Sequence, residues 1–392
     1  MAHKVVVIVL DGVGVGEAPD AARFADTGSD SVGNAARALG HLALPHLGRL
    51  GLGHLTRIPG TPPEPSPVAA YGRLAALSAG KDSTSGHWEL CGLVTESAFP
   101  TYPHGFPPEV TGPFERAIGR EVLGNCAASG TEILHELGAE HLCTGRPIVY
   151  TSADSVFQIA AHEDVVPLAE LYRWCEIART QLVGEHRVGR VIARPFTGAP
   201  GAWVRTPRRR DYAVPPPGRS LLQVLQEAGR TVVGIGKIED LFSGIGLTQV
   251  DHTTSNEAGM QATLRWWRET APGSFVFTNL NDFDTLWGHR NDVRGYAAAL
   301  QAFDAWLPEL LAALELHDLL VVTGDHGNDP TTPSTDHSRE YVPILAKLGG
   351  HDGGVALGDR HGFTHVAATV LEHLGFSERL GGRSFRKQMG PL

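Results

Sequence analysis

The sequence predicts an α/β protein with a layered core and an inserted second domain, and three observations carry that prediction. Four apolar runs, His3 to Leu10, Thr231 to Ile235, Ser274 to Leu280 and Asp318 to Thr323, show no regular polar alternation, as expected of strands covered on both faces of a parallel sheet. Between them lie stretches of helical periodicity, such as Tyr296 to Leu316, and that alternation is the pattern of a sheet layered with helices. The pattern is broken by AFPTYPHGFPP at Ala98 to Pro108 and by VPPPG at Val214 to Gly218, both of which read as domain boundaries. Core-type strands occur on either side. Residues 98–217 are therefore expected to be an insertion, and 1–97 with 218–392 a discontinuous core.

A chain of 392 residues, 42% hydrophobic, exceeds the roughly 250 to 300 residues at which single cores stop growing. Gly 47 and Pro 26 imply plentiful loops without reaching a low-complexity composition. A formal charge of -10 argues against nonspecific nucleic-acid binding, which needs a basic surface to displace counterions. An anionic substrate would need a local basic pocket. The N-terminal apolar stretch Val5 to Leu10 is too short for a signal-peptide core or a membrane span. Cys91, Cys126, Cys143 and Cys175 form no CxxC pair, so reduced thiols and a cytoplasmic location are expected, with no membrane partner. The one basic run, Arg208 to Arg210, reads as a solvated loop.

Four places set acidic or imidazole groups after strand-like runs: Asp11 in VLDGVG, Asp284 and His289 in LNDFDTLWGHR, Asp325 and His326 in VVTGDHGND, and His337 in STDHSRE. Asp-Gly alone is ordinary turn chemistry, but groups at successive strand exits of one sheet converge on its carboxyl edge. Imidazole with carboxylate suits Mn²⁺ or Zn²⁺ better than Ca²⁺. Six ligands make two sites of three, and metals about 3.5 to 4 Å apart hold both oxygens of an in-line phosphoryl displacement. A nucleophile is then required. The stretch SAGKDSTSGHWE, Ser78 to Glu89, supplies hydroxyls that a dication pair would activate. Composition does not choose among Ser83, Thr84 and Ser85, and a helix N-cap is the plainer alternative.

The set VLDGVGVG, GKDSTSGHWE, YTSADSVFQIAAHE, VGRVIARPF, GKIEDLF, DFDTLWGHR and TGDHGNDP with TDHSREYVP resembles the phosphopentomutase family of the alkaline phosphatase-like superfamily, over nearly the whole chain. The resemblance implies a mainly parallel sheet flanked by helices, an inserted smaller α+β cap domain, and two Mn²⁺ ions per chain. By motif, Asp11, Asp325 and His326 would bind one metal, and Asp284, His289 and His337 the other. Thr84 would carry the phosphoryl group. Ser152 and Asp154 would engage the sugar or the phosphothreonine surroundings, and Arg194, Arg205 and Lys237 the distal phosphate, arginine binding it bidentately. Arg190 and Arg208 are neighbours that could exchange roles with those arginines. Gly86, His87 and Trp88 are read as supports of the nucleophile loop, with ordinary packing an equal reading for Trp88.

The activity so implied is interconversion of (deoxy)ribose 1-phosphate and 5-phosphate through a phosphothreonine and a bisphosphate intermediate, linking nucleoside breakdown to pentose phosphate metabolism. A sugar bisphosphate such as glucose 1,6-bisphosphate or ribose 1,5-bisphosphate would prime the threonine. The partners are small sugar phosphates, and a monomer is compatible with everything in the sequence. The alternative is a phosphoglycerate mutase-like or phosphatase member of the same superfamily, whose metal ligands would look alike. A metal-dependent binding protein without catalysis would have little use for Thr84.

Overall fold

Strand β1 (Val5–Leu10) is buried at every position, because helices cover both faces of the sheet at its centre. In the computed structural model, residues 3–152 and 155–390 are described. The remaining strands, in chain order, are β2 (Ala70–Ala75), β3 (Leu123–Ala127), β4 (Ile148–Thr151), β5 (Val156–His162), β6 (Arg190–Ala199), β7 (Ala202–Arg205), β8 (Arg210–Ala213), β9 (Val232–Ile235), β10 (Gln249–Asp251), β11 (Phe275–Leu280), β12 (Leu319–Thr323), β13 (Val342–Leu348) and β14 (Val355–His361). The chain divides into two compact units, Met1–Ala98 with Pro216–Leu392, and Phe99–Pro215; the sequence put the boundaries at 98 and 217.

In the first unit eight strands form one sheet in the order β10-β9-β11-β1-β12-β13-β2-β14. Only β13 runs against the others, pairing antiparallel with both β12 and β2. The sheet is thus mainly parallel, as expected. The four apolar runs of the sequence are β1, β9, β11 and β12, which lie side by side. On β1, Val6, Ile8 and Leu10 join a cluster with Val276, Leu320, Phe283, Tyr296 and Phe303. Each such side chain contributes about 1.5 to 3 kcal/mol by leaving water.

The helix expected at Tyr296 to Leu316 spans Val293–Ala312, starting earlier because the Asp292 carboxylate accepts the Gly295 N–H at its N-cap. It stops earlier because the chain turns at His317, whose φ is 65°, to deliver Leu319 into β12. Among the described residues no helix is long and apolar enough to cross a membrane.

The second unit holds a mixed six-stranded sheet, β3-β4-β5-β6-β7 with β8 paired to β6, and helices that include Glu132–Thr144 and Leu168–Gln181. Phe114, Phe157 and Trp174 anchor one of its cores, Tyr150 and Phe196 another. The basic run is exposed throughout; Arg208 and Arg209 are loop, and Arg210 opens β8.

Candidate metal centre and nucleophile helix

Four neighbouring parallel strands end on one edge of the first sheet, and each delivers a charged group there. Lys237 follows β9, Asp284 follows β11, Asp11 follows β1, and Asp325 with His326 follow β12. Asp284 sits in a π-helical turn, Phe283–Trp287, a wide turn that often marks functional sites. The glycine at 12 has a φ of 76°, a left-handed conformation that lets the chain reverse directly after Asp11.

Two sets of three side chains each offer one ligand atom within 4.8 Å of the others: Asp11, Asp325 and His326, and Asp284, His326 and His337. The first set coincides with the motif-derived trio. In the second, His326 stands where His289 was expected, although His289 is adjacent, its Nε2 lying 3.3 Å from Asp284 Oδ1 and its ring 4.7 Å from that of His337. His337 Nε2 is likewise 3.3 Å from Asp284 Oδ1, and His326 Nε2 is 3.3 Å from Asp11 Oδ1. All three imidazoles therefore aim Nε2 at a carboxylate. For two of them the other nitrogen is tied back, His326 Nδ1 to Gly327 O at 3.0 Å and His289 Nδ1 to Thr335 O at 2.6 Å. A carbonyl only accepts, so Nδ1 carries a proton and Nε2 is the nitrogen left for an ion to take, the arrangement of a metal-binding histidine.

The electrostatics agree with a cation site. Burial opposes ionisation of Asp11, but Lys237 Nζ at 3.2 Å from Oδ2 and the nearby His326 hold it well below the usual carboxylate range. Burial likewise opposes charge on Asp284, and His337, His289 and Lys237 hold it down. Burial opposes charge on His326 too, yet Asp325, Asp11 and Asp284 raise it to about 10. The carboxylates thus draw positive charge into a buried space. Asp325 Oδ2 and His337 Nε2 are buried and make no well-formed hydrogen bond among the described residues, their nearest charged neighbours being His87 Nδ1 at 3.1 Å and Asp284 Oδ1 at 3.3 Å, so both retain capacity for a further partner. The donor set fits a divalent transition ion.

The candidate ligands are held from behind. Asp325 Oδ1 accepts the N–H groups of Gly12 and His326, each at 3.1 Å. Asn328 Nδ2 donates to Asp284 Oδ1 at 2.8 Å and Asn279 Nδ2 to Asp11 Oδ2 at 2.9 Å; such charge-assisted bonds are worth about 1.5 to 3 kcal/mol each. Neither asparagine was singled out in the sequence. A polar residue one place before the end of the buried run FVFTNL was the available signal for Asn279.

Helix Ser83–Leu90 brings the three candidate hydroxyls to this edge and separates them. Ser85 Oγ donates to Asp82 Oδ2 at 2.8 Å and Ser85 N to Asp82 Oδ1 at 3.0 Å, so this hydroxyl is spent on the N-cap. Ser83 Oγ donates to Asp11 Oδ1 at 3.2 Å and lies 3.2 Å from His326 Nε2. Thr84 is buried (8% exposed), and among the described residues its hydroxyl makes no hydrogen bond. Trp88 is fully buried, with its indole N–H on Leu241 O, so it packs and anchors the helix.

Lys237, expected at a distal phosphate, ion-pairs with Asp11 and lies 4.0 Å from Asp284 Oδ2. In the second unit, Arg194 Nε donates to Gln158 Oε1 at 3.0 Å, and burial together with Arg209 and Arg205 lowers its guanidinium to about 10. Arg205 lies against Gly130 and near Tyr150. Among the described residues neither Arg194 nor Arg205 has a carboxylate within ion-pair distance, whereas Arg190 is 3.6 Å from Asp211 and Arg208 pairs with Glu163. Ser152 follows β4 and is half-buried. Asp154 lies outside the described residues.

The model of the metalloenzyme superfamily matches residues 3–378. A protein named phosphopentomutase from Dictyoglomus thermophilum is 54% identical over 382 residues, 97% of each chain. One of the same name from Desulfitobacterium hafniense is 55% identical over 384 residues, 97% of this chain and 98% of that one. A solved structure from Pyrococcus horikoshii shares the fold at a TM-score of 0.51 and 15% identity, covering 97% of this chain and all of that one. With likeness of this length, and strand-end carboxylates and imidazoles grouped so that they could hold a divalent metal, the chain belongs to the phosphopentomutase family of the metalloenzyme superfamily.

Proposed function

We infer that this enzyme moves a phosphoryl group between the C1 and C5 oxygens of ribose or deoxyribose phosphates, with Thr84 as the residue that carries it. The observation that carries this reading is full-length likeness to proteins named phosphopentomutase, in a chain that groups two trios of metal-binding side chains beside a hydroxyl-bearing helix N-terminus.

Two divalent ions, proposed to be Mn²⁺, would be held by Asp11, Asp325 and His326 and by Asp284, His289 and His337; when bound they supply Lewis-acid neutralisation of phosphoryl oxygens. The chain's own groups do the rest. Backbone N–H groups at the start of helix Ser83–Leu90 favour an anion on Thr84. Lys237 places a positive charge beside Asp11. Arg194 and Arg205, which have no carboxylate partner among the described residues, suit the phosphate that does not react; Ser152 and Asp154 are assigned to the sugar side.

In the forward half, the free C1 or C5 hydroxyl of the sugar attacks phosphothreonine. A new P–O bond to the sugar forms, the P–Oγ1 bond of Thr84 breaks, and the hydroxyl proton lost by the sugar is made up on the threonine oxygen. The resulting bisphosphate returns its other phosphoryl group to Thr84, leaving the isomeric monophosphate. A sugar bisphosphate is the proposed primer for bare Thr84. The test is conversion of ribose 1-phosphate to ribose 5-phosphate by purified protein with Mn²⁺ and primer, with inorganic phosphate followed in the same tube. Isomerisation without phosphate release is expected; phosphate release alone would make the enzyme a phosphatase.

A further inference from the structure

His87, fully buried on the nucleophile helix, is connected through Asn279 to one metal-binding carboxylate and lies directly against another. Asn279 Nδ2 donates to Asp11 Oδ2 at 2.9 Å and lies 3.2 Å from His87 Nε2. His87 Nδ1 is 2.8 Å from the Ser83 carbonyl oxygen and 3.1 Å from Asp325 Oδ2. These contacts fix every proton in the chain of groups. The Asp11 carboxylate can only accept, so the Asn279 amide must turn its NH₂ toward it. The same NH₂ faces His87 Nε2, which must then be the unprotonated nitrogen, and the ring proton sits on Nδ1 between the Ser83 carbonyl and Asp325.

The orientation has a cost that packing alone does not require. With NH₂ committed to Asp11 and His87, the Asn279 Oδ1 is left buried with no partner among the described residues. Buried polar atoms are normally paired. An asparagine held in this orientation is held for what its NH₂ does. On its far side the imidazole meets Phe277, with ring centroids 5.7 Å apart, so the ring has an apolar wall opposite its polar contacts.

We propose that His87 and Asn279 are positioning residues for the metal-binding carboxylates, setting Asp11 and Asp325 in register with the first turn of helix Ser83–Leu90. Asp11 and Asp325 follow neighbouring strands, β1 and β12, and the His87–Asn279 link reaches both from the helix that carries Thr84. Movement of that helix is thereby coupled to the ligands, and partners behind a ligand typically tune metal affinity about 10- to 100-fold.

The inference rests on the metal-dependent reading of the site, and the experiment separates the two. Mn²⁺ affinity is measured on unphosphorylated wild-type protein and on His87→Phe, Asn279→Ala and the double variant by competition with a metal-sensitive chelator. Melting without metal and kcat and KM for ribose 1-phosphate are measured alongside. His87→Phe keeps the ring and its contact with Phe277 while removing both nitrogens. Each single variant is expected to lose about 10-fold or more in Mn²⁺ affinity and to lose kcat with little change in KM. The double variant should be worse than either single one but by less than the two losses combined, because His87 touches Asp325 directly and reaches Asp11 only through Asn279. Wild-type affinity in folded variants would overturn the positioning role while leaving the metal site standing. A wild-type protein that binds no Mn²⁺ would overturn the metal reading and this inference with it. Should His87→Phe fail to fold, Asn279→Ala decides alone.

Discussion

A methyl group on Gly86 would stand 2.2 Å from the carbonyl oxygen of Asp325, so the helix that carries Thr84 lies directly against the backbone of a strand end that supplies a candidate metal ligand. That backbone has little room to yield, because Asp325 Oδ1 is already bonded to Gly12 N and His326 N. Gly86→Ala must push the helix away. Overpacking of this kind costs about 1 to 3 kcal/mol, and a shift near 1 Å at a reacting group can cost about 10²-fold in rate. The expected result is a folded protein with a lowered melting temperature and kcat reduced by about two orders of magnitude; wild-type kcat would show that the contact does not set the nucleophile's position.

The three hydroxyls of the Ser83 to Ser85 segment should behave differently because their contacts differ. Thr84→Ala is expected to abolish both phosphoenzyme, seen by intact-mass spectrometry after priming, and turnover, with melting near wild type. Ser85→Ala loses the hydroxyl bond to Asp82 while keeping the backbone half of the cap, so it should cost about 0.5 to 1.5 kcal/mol and leave the phosphoenzyme intact. Ser83→Ala removes a hydroxyl from Asp11 and His326 and should also still phosphorylate. Phosphate found on position 83 or 85 of an active Thr84→Ala protein would move the nucleophile.

Most of the candidate metal ligands could be proposed from the sequence because they follow strands whose apolar runs are themselves legible, and a parallel sheet brings successive strand exits to one edge. What the sequence withheld is set by partners far apart in the chain. His326 lies between both carboxylate groups because β12 pairs with β1 and Asp284 approaches from β11, and no spacing within TGDHGNDP encodes that. Lys237 meets Asp11 across 226 positions, so its partner could not be read from GKIEDLF. The reversal of β13 was hidden for a related reason: a buried apolar run such as VPILAKL carries no mark of direction. Asn279 was read only as part of a strand, since its two partners, Asp11 and His87, come from other elements.

Stripping divalent metal should act on stability as well as rate. Asp11, Asp284 and Asp325 gather in a space where each is at most 2% exposed, and a cation that binds only the folded chain stabilises it by mass action, about 2.7 kcal/mol at a free concentration 100 times its Kd. Chelation should abolish isomerisation and lower the melting temperature, and added Mn²⁺ should restore both in a concentration-dependent way. A melting temperature indifferent to metal and chelator would mean that these groups hold no ion in the folded protein.

Acid should weaken the first unit through His373, far from the metal ligands in sequence. Its ring is 3% exposed, accepts the Arg386 Nε–H on Nδ1 at 3.0 Å, and lies 5.8 Å from the ring of His3. Burial, the Arg386 guanidinium and His3 disfavour a second positive charge and lower its pKa to about 3. The unfolded chain's imidazole titrates near about 6.5. The folded-state value is the depressed one, so the stability that neutral His373 contributes is complete above about pH 6.5 and is lost progressively as the pH falls toward 3, because the unfolded chain takes up a proton that the folded chain refuses. One such group gives a slope of at most about 1.4 kcal/mol per pH unit. His373→Gln, whose carbonyl can still accept from Arg386, removes the titration. Its unfolding free energy, followed by denaturant titration between pH 7 and 4, should fall less steeply than that of the wild-type protein even if it starts lower; parallel slopes would show that His373 does not resist protonation in the folded chain.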